Sequence, residues 1–208
     1  MDESEVTENA TPSEETRREG ALPLPPERNN VAGSPERQGH GPCPTDGSPD
    51  RRRRNAAIFF PVAALWLVLD LATKAFFNGF PPGTVVTGPM LGLIQFRVAH
   101  NTGAAWGMFD QSTIALGVMS LVVCAALTVY LFTAGRHASV PETLGVALIV
   151  AGGIGNAVDR FTLGYVVDFI DTVFMSFPTF NIADIGVTCG FVLFFAGLLW
   201  STRSSKEQ

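Results

Sequence analysis

Among the seven carboxylates in the apolar part of the chain, four draw attention: Asp70, Asp159, Asp168 and Asp184. Three of them have polar neighbours at helical spacing. Asp70, Thr73 and Lys74 stand at i, i+3 and i+4, as do Asn156, Asp159 and Arg160, while Asn181 and Asp184 stand at i and i+3. Side chains so spaced share one helix face. A polar stripe of this kind is costly against lipid, so it belongs on a bundle interior or a wet cavity. No Ser/His or Cys/His couple is available: His40, His100 and His137 each stand alone. A zinc site needs about three protein ligands, usually including His or Cys, and none is spaced for it; magnesium held by carboxylates and water stays open. The remaining chemistry is that of two carboxyl groups held close. One keeps its proton and hydrogen-bonds a carbonyl, while the ionised one deprotonates a water that attacks it. Such a pair needs no metal and no cofactor. A plainer reading applies to Asp70 beside Lys74 and Asp159 beside Arg160, which fit structural ion pairs at helix ends. Asp168 and Asp184 have no adjacent cation, and spacing leaves them open between function and backbone capping.

The elements that must carry these groups follow from composition. Residues 1–54 hold 11 acidic and 8 basic side chains and no aromatic residue, among many Pro, Gly and Ser. So little apolar surface cannot offset the entropy of ordering. We therefore expect a disordered cytoplasmic tail over 1–54, with no apolar stretch after Met1 that would make a signal peptide. More than half of the net charge of −5 lies in this tail and gives no reason to expect nucleic-acid binding. Residues 55–201 contain only 11 Asp, Glu, Lys or Arg. Apolar runs at about 56–77, 112–134, 143–160 and 181–201 are each long enough to cross a bilayer as a helix. The expected fold is a membrane α-helical bundle of four spans over 55–203, followed by a short C-terminal tail at 204–208. Arg51–Arg54, then Arg136 and His137, then Arg203 and Lys206 flank the spans on one side. By the positive-inside rule that side is cytoplasmic, and both termini lie there. Cys43, Cys124 and Cys189 have no metal-ligand spacing and read as free thiols, with packing the role of the last two.

Two segments then face outward, about 78–111 and 161–180. The first contains the β-prone runs TVV and LIQFRV between Gly and Pro, which suggests a small extracytoplasmic β-sheet platform. Trp106 and Phe109 suit the headgroup level. The second, with VVDFIDTVFMSFPTF, reads as strand-like or interfacial. At 1.5 Å per residue Asp70 lies roughly 22 Å from the cytoplasmic end of its span. Asn156–Arg160 and Asp184 fall at a similar depth, and Asp168 can reach it from the outer segment. Gly152, Gly153 and Gly155 read as close helix packing, since no Lys-Ser/Thr follows to make a phosphate loop.

Four blocks, in this order and spacing, resemble lipoprotein signal peptidase (signal peptidase II): DLATK at 70–74, NTGAAWG at 101–107, GGIGNAVDR at 152–160 followed by VVDF at 166–169, and FNIAD at 180–184. The resemblance covers about residues 56–201. It implies an integral-membrane aspartic endopeptidase of the bacterial cytoplasmic (inner) membrane, with its site near the extracytoplasmic face. Its substrates would be diacylglyceryl-modified prolipoproteins, cut just before the lipidated cysteine. The catalytic pair would be Asp168 and Asp184. Asp70, Lys74, Asn101, Gly103, Asn156, Asp159, Arg160, Asn181 and Ala183 would bind substrate or support the site. The resemblance further implies no cofactor, contact with membrane lipid, inhibition by the cyclic peptide globomycin, and a monomer whose four spans enclose one site. Leu71 stands where the family usually has Gln, which touches the surroundings of Asp70 rather than the chemistry. The alternatives are a proton-coupled transporter subunit using Asp70, Asp159 and Asp184 as a relay, and an inactive lipoprotein-binding scaffold.

Overall fold

The computed structural model describes residues 49–103, 112–133 and 138–204. The 1–48 stretch of the expected tail, Trp106, Phe109, Arg136 and His137 lie outside the described residues. Four helices are long and apolar enough to cross a membrane: α1 (Pro49–Phe77), α2 (Thr113–Thr133), α3 (Val140–Thr162) and α4 (Ile182–Ser204). Helix α1 begins at Pro49, so 49–54 are helical where the sequence suggested tail. Two arginines there are occupied. Arg52 donates to the Phe132 carbonyl (2.6 Å) and Arg54 to the Ala138 carbonyl (2.7 Å). They thereby satisfy carbonyls at and beyond the end of α2, which lack partners within the helix.

Helix α3 is the centre of the bundle. Two-thirds of its apolar window is buried (67%), against 11–22% for the other three helices. Its start is fixed by a reciprocal cap: Ser139 accepts from the Glu142 N–H, and the Glu142 side chain accepts from the Ser139 N–H. The buried Glu142 also accepts the Tyr130 hydroxyl at 2.7 Å. Phe59, Cys124, Leu131, Val146, Ala147 and Val150 form the core between α1, α2 and α3. Against α4 and α1 the helix approaches closely on glycine. A Cβ at Gly152 would collide with the Ala183 carbonyl oxygen, and one at Gly155 with Asp70 Oδ2. The small residues are there for contact, as expected. The outer faces of α1, α2 and α4 are apolar and exposed, with Leu65, Val122 and Val192 among them, as lipid-facing surface requires.

A three-stranded antiparallel sheet follows α1 in space: β1 (Val85–Met90), β2 (Ile94–Asn101) and β3 (Val166–Thr172), in the order β1-β2-β3. It packs on the end of α1 through Phe77, Val98, Val167, Phe169 and Ile170. The Phe77 and Phe169 rings stack at 4.2 Å. Ala99 is opposite Asp168 in the register, so Asn101, two residues on, shares the face that carries Asp168. After β3 the chain turns back, and Phe180 pairs with Ile170 through N–H···O bonds of 2.8 and 3.0 Å. That bridge delivers Asn181 and the start of α4 to the edge of β3.

Candidate active site

The first turn of α4 is capped three times. Asn181 Oδ1 accepts the Asp184 N–H at 3.1 Å, and Asp184 Oδ2 accepts the Asn181 N–H at 3.1 Å. This reciprocal bonding is the amide–carboxylate version of a capping box. Asp70 Oδ1, from α1, accepts the Ala183 N–H at 2.8 Å. Asp184 therefore sits at the positive end of a helix with one oxygen held by backbone. Its other oxygen accepts the Asn156 amide at 2.8 Å.

Asp168 reaches the same place from β3 and is 2% exposed. Its oxygens accept from the Asn181 amide at 2.7 Å and the Asn101 amide at 3.0 Å. Burial, aided by the nearby negative charge of Asp184, pushes its carboxyl up to about 7. A neighbouring charge of the same sign disfavours the ionised form, as burial does.

Beneath the two carboxyls lies a buried charged cluster. The Lys74 ammonium is 2.8 Å from Asp70 Oδ2, 3.5 Å from Asp159 Oδ2, and donates to Asn156 Oδ1 at 2.7 Å. Asp159 also accepts the Val167 N–H at 3.0 Å, which ties the end of α3 to β3. The Asp70–Lys74 pair is the expected one. The Asp159–Arg160 pair is not formed, because adjacent residues on a helix point apart. Asp159 turns to Lys74, while Arg160 turns to the carbonyls of Asn156 and Gly103, both at 3.3 Å. Gly103 also donates its N–H to Asn101 Oδ1 at 3.0 Å. All eleven residues that the sequence singled out therefore meet in one network.

Asp168, Asp184, Asn101 and Arg160 face a cavity of about 560 Å³ whose other walls are mainly apolar: Phe177, Pro178, Thr179, Phe180, Ile185, Thr188 and Cys189. The sequence reading missed this wall. Thr188 and Cys189 lie four residues beyond Asp184 and Ile185, and that helical spacing was the available signal. Cys189 is exposed and lines the cavity rather than filling a core, whereas Cys124 is buried as expected. His100 is a packing residue: its ring stacks on Tyr165 at 3.9 Å, and burial lowers its pKa. Among the described residues no three His, Cys, Asp or Glu side chains cluster to hold a metal ion.

A family model described as signal peptidase (SPase) II matches residues 62–200. The chain belongs to the signal peptidase II family. It is 37% identical over 149 residues to a lipoprotein signal peptidase of Parasynechococcus marenigrum strain WH8102, a match covering 71% of this chain and 91% of the relative. A lipoprotein signal peptidase of Enterococcus faecalis is 32% identical over 167 residues, covering 74% of this chain and 95% of the relative. Among solved structures, a bacterial membrane enzyme determined by the in meso method at 2.3 Å is similar with a TM-score of 0.65 and 29% identity, over 71% of this chain and 90% of its own. A second such structure, at 1.9 Å, has a TM-score of 0.59 and 29% identity, over 66% of this chain and 90% of its own. These likenesses give the transporter and scaffold alternatives no support.

Proposed function

We propose that this multi-pass membrane protein is an aspartic endopeptidase that removes the signal peptide from diacylglyceryl-modified prolipoproteins, cutting before the lipidated cysteine, with Asp168 and Asp184 as its catalytic pair. Family membership supports the peptidase activity and the prolipoprotein substrate. The observation that carries the pair is geometric. Two carboxyls from different elements, each oriented by two N–H donors, face one largely apolar cavity. One ionised carboxylate takes a proton from water as the water oxygen bonds to the scissile carbonyl carbon. The protonated partner donates to the carbonyl oxygen. Collapse of the tetrahedral species then breaks the C–N bond as the leaving nitrogen is protonated. The remaining site residues position these groups, and the apolar wall suits a substrate that carries acyl chains.

The site lies at the end of the bundle opposite Arg51–Arg54, which argues for a cut near the extracytoplasmic face of the bacterial inner membrane with both termini in the cytoplasm. Residues 1–54 are then cytoplasmic, the last six of them as the start of α1, and 55–203 form the peptidase as a monomer in contact with lipid. Globomycin is the expected inhibitor. The test is incubation of the purified protein with a diacylglyceryl-modified prolipoprotein and with its unmodified form. Mass spectrometry should find a product beginning at the lipidated cysteine, from the modified form alone and abolished by globomycin. Cleavage elsewhere, or none, would contradict the reading.

A further inference from the structure

Hydrogen bonding alone does not decide which carboxyl of the pair holds the proton, since each accepts two N–H groups. Position does decide it. Asp184 is partly exposed to the cavity and lies at the N-terminal end of α4, where the helix dipole favours an anion. Asp168 is 2% exposed and lies within a strand, not in the first turn of a helix.

The two amides between them are also fixed in orientation, by donors that can accept nothing. The Lys74 ammonium lies 2.7 Å from Asn156, so the Asn156 atom facing it must be oxygen, and its NH₂ must face Asp184. The Asp184 backbone N–H likewise fixes Asn181 Oδ1 on itself, which turns the Asn181 NH₂ to Asp168. A flipped Asn156 would set NH₂ against NH₃⁺ and a carbonyl oxygen against the Asp184 carboxylate.

We propose that Asp184 works as the ionised base and Asp168 as the proton-bearing acid, an order maintained by Lys74, a positioning residue that acts through the Asn156 amide; this rests on the dyad reading above. The surrounding charges bear on both carboxyls, and the pull of Lys74 on Asp168 toward ionisation is outweighed by burial. From α1 come Lys74 and its partner Asp70, and from α3 come Asp159, which shares Lys74, and Arg160, whose charge acts on both carboxyls. β2 offers Asn101, a neutral donor. Burial pushes Asp168 up to about 7, which keeps it protonated below neutrality. In the reaction Asp184 takes the water proton, and Asp168 protonates the carbonyl oxygen. On collapse Asp184 passes its proton to the leaving nitrogen, and Asp168 recovers the hydroxyl proton. Both groups end as they began.

The test is infrared difference spectroscopy of the full chain in detergent between about pH 5 and about pH 9, reading the carbonyl stretch of protonated carboxyl groups. Wild type should show a band that disappears across neutrality. The band should vanish in Asp168→Asn and persist in Asp184→Asn with its midpoint moved to lower pH, because the neighbouring charge is gone. The opposite order, or a band lost in neither, overturns the assignment. Should Asp168→Asn fail to fold, the Asp184→Asn spectrum alone decides, since a lost band is contrary. For Lys74→Met, the acid limb of the kcat–pH profile should move up by about one unit with KM within about twofold. A loss of activity with an unmoved acid limb would make Lys74 merely structural and contradict its part. Substantial cleavage by a folded Asp168→Asn or Asp184→Asn sinks the dyad reading itself. A wrong band order with both variants inactive sinks only the assignment.

Discussion

Asp168 is buried, and its raised pKa has a thermodynamic consequence. Its carboxyl, raised to about 7 in the folded protein, titrates near 3.9 when unfolded. Between those values the native state holds the extra proton, so this group makes stability fall as pH rises from about 4 to about 7. Below that window both states are protonated, and above it the loss is complete. Thermal unfolding in detergent across this range should show the fall in wild type and a flatter profile in Asp168→Asn. Asn101 donates to Asp168 and lowers its pKa. Asn101→Ala should accordingly move the basic limb of the activity profile to higher pH, which a kcat/KM titration would read. At this scale the sequence was informative about which residues meet and silent about which partner each chooses. Spacing placed Asp159 on one face with Asn156 but could not say that its cation comes from another helix. The reason is that Lys74 reaches it only through the packing of α1 on α3.

The contact between α3 and α4 sets where Asp184 stands, because the oxygen that a Cβ on Gly152 would strike belongs to Ala183, one residue before it. Gly152→Ala should lower the unfolding temperature and reduce kcat at least tenfold, of order 1–3 kcal/mol for overpacking. Gly88→Ala, whose Cβ meets nothing within 4 Å, should leave both unchanged. The sheet has a comparable lever. Phe77→Ala removes the ring stacked on Phe169, the neighbour of Asp168, and should cost about 3–5 kcal/mol, seen in thermal unfolding. Helix existence was legible from apolar length. The Gly-rich α3 is the least hydrophobic of the four spans, yet it is the most buried. A central helix needs small residues for contact more than it needs apolar surface for lipid. The strands were legible from β-prone runs, whereas the return of Phe180 onto Ile170 was not, because that bridge joins residues with no local pattern between them.

Over the whole molecule, polar groups concentrate at two levels. One holds Arg52, Arg54, Tyr130 and Glu142 and closes the ends of α1, α2 and α3. The other holds the carboxyl pair and its supports. Apolar surface faces outward between them. The positive run Arg51–Arg54 favours insertion with the N-terminus inside, and replacing all four with Gln should weaken it in a reporter-fusion assay. This layout was legible from charge placement alone, since so few ionisable residues lie in the spans that each one carries information. The apolar wall of the cavity was not, because phenylalanines facing a site read like those facing lipid. The central claim is that two carboxyls, not one and not a metal, cut the peptide. The most direct measurement is single-turnover cleavage of a diacylglyceryl-modified prolipoprotein by wild type, Asp168→Asn and Asp184→Asn, each shown to unfold cooperatively. The account predicts that both variants lose at least about a thousandfold in rate, the scale expected when a concerted acid–base pair is broken. A folded variant that keeps a substantial fraction of the wild-type rate would contradict it and return Asp70 and Asp159 to consideration.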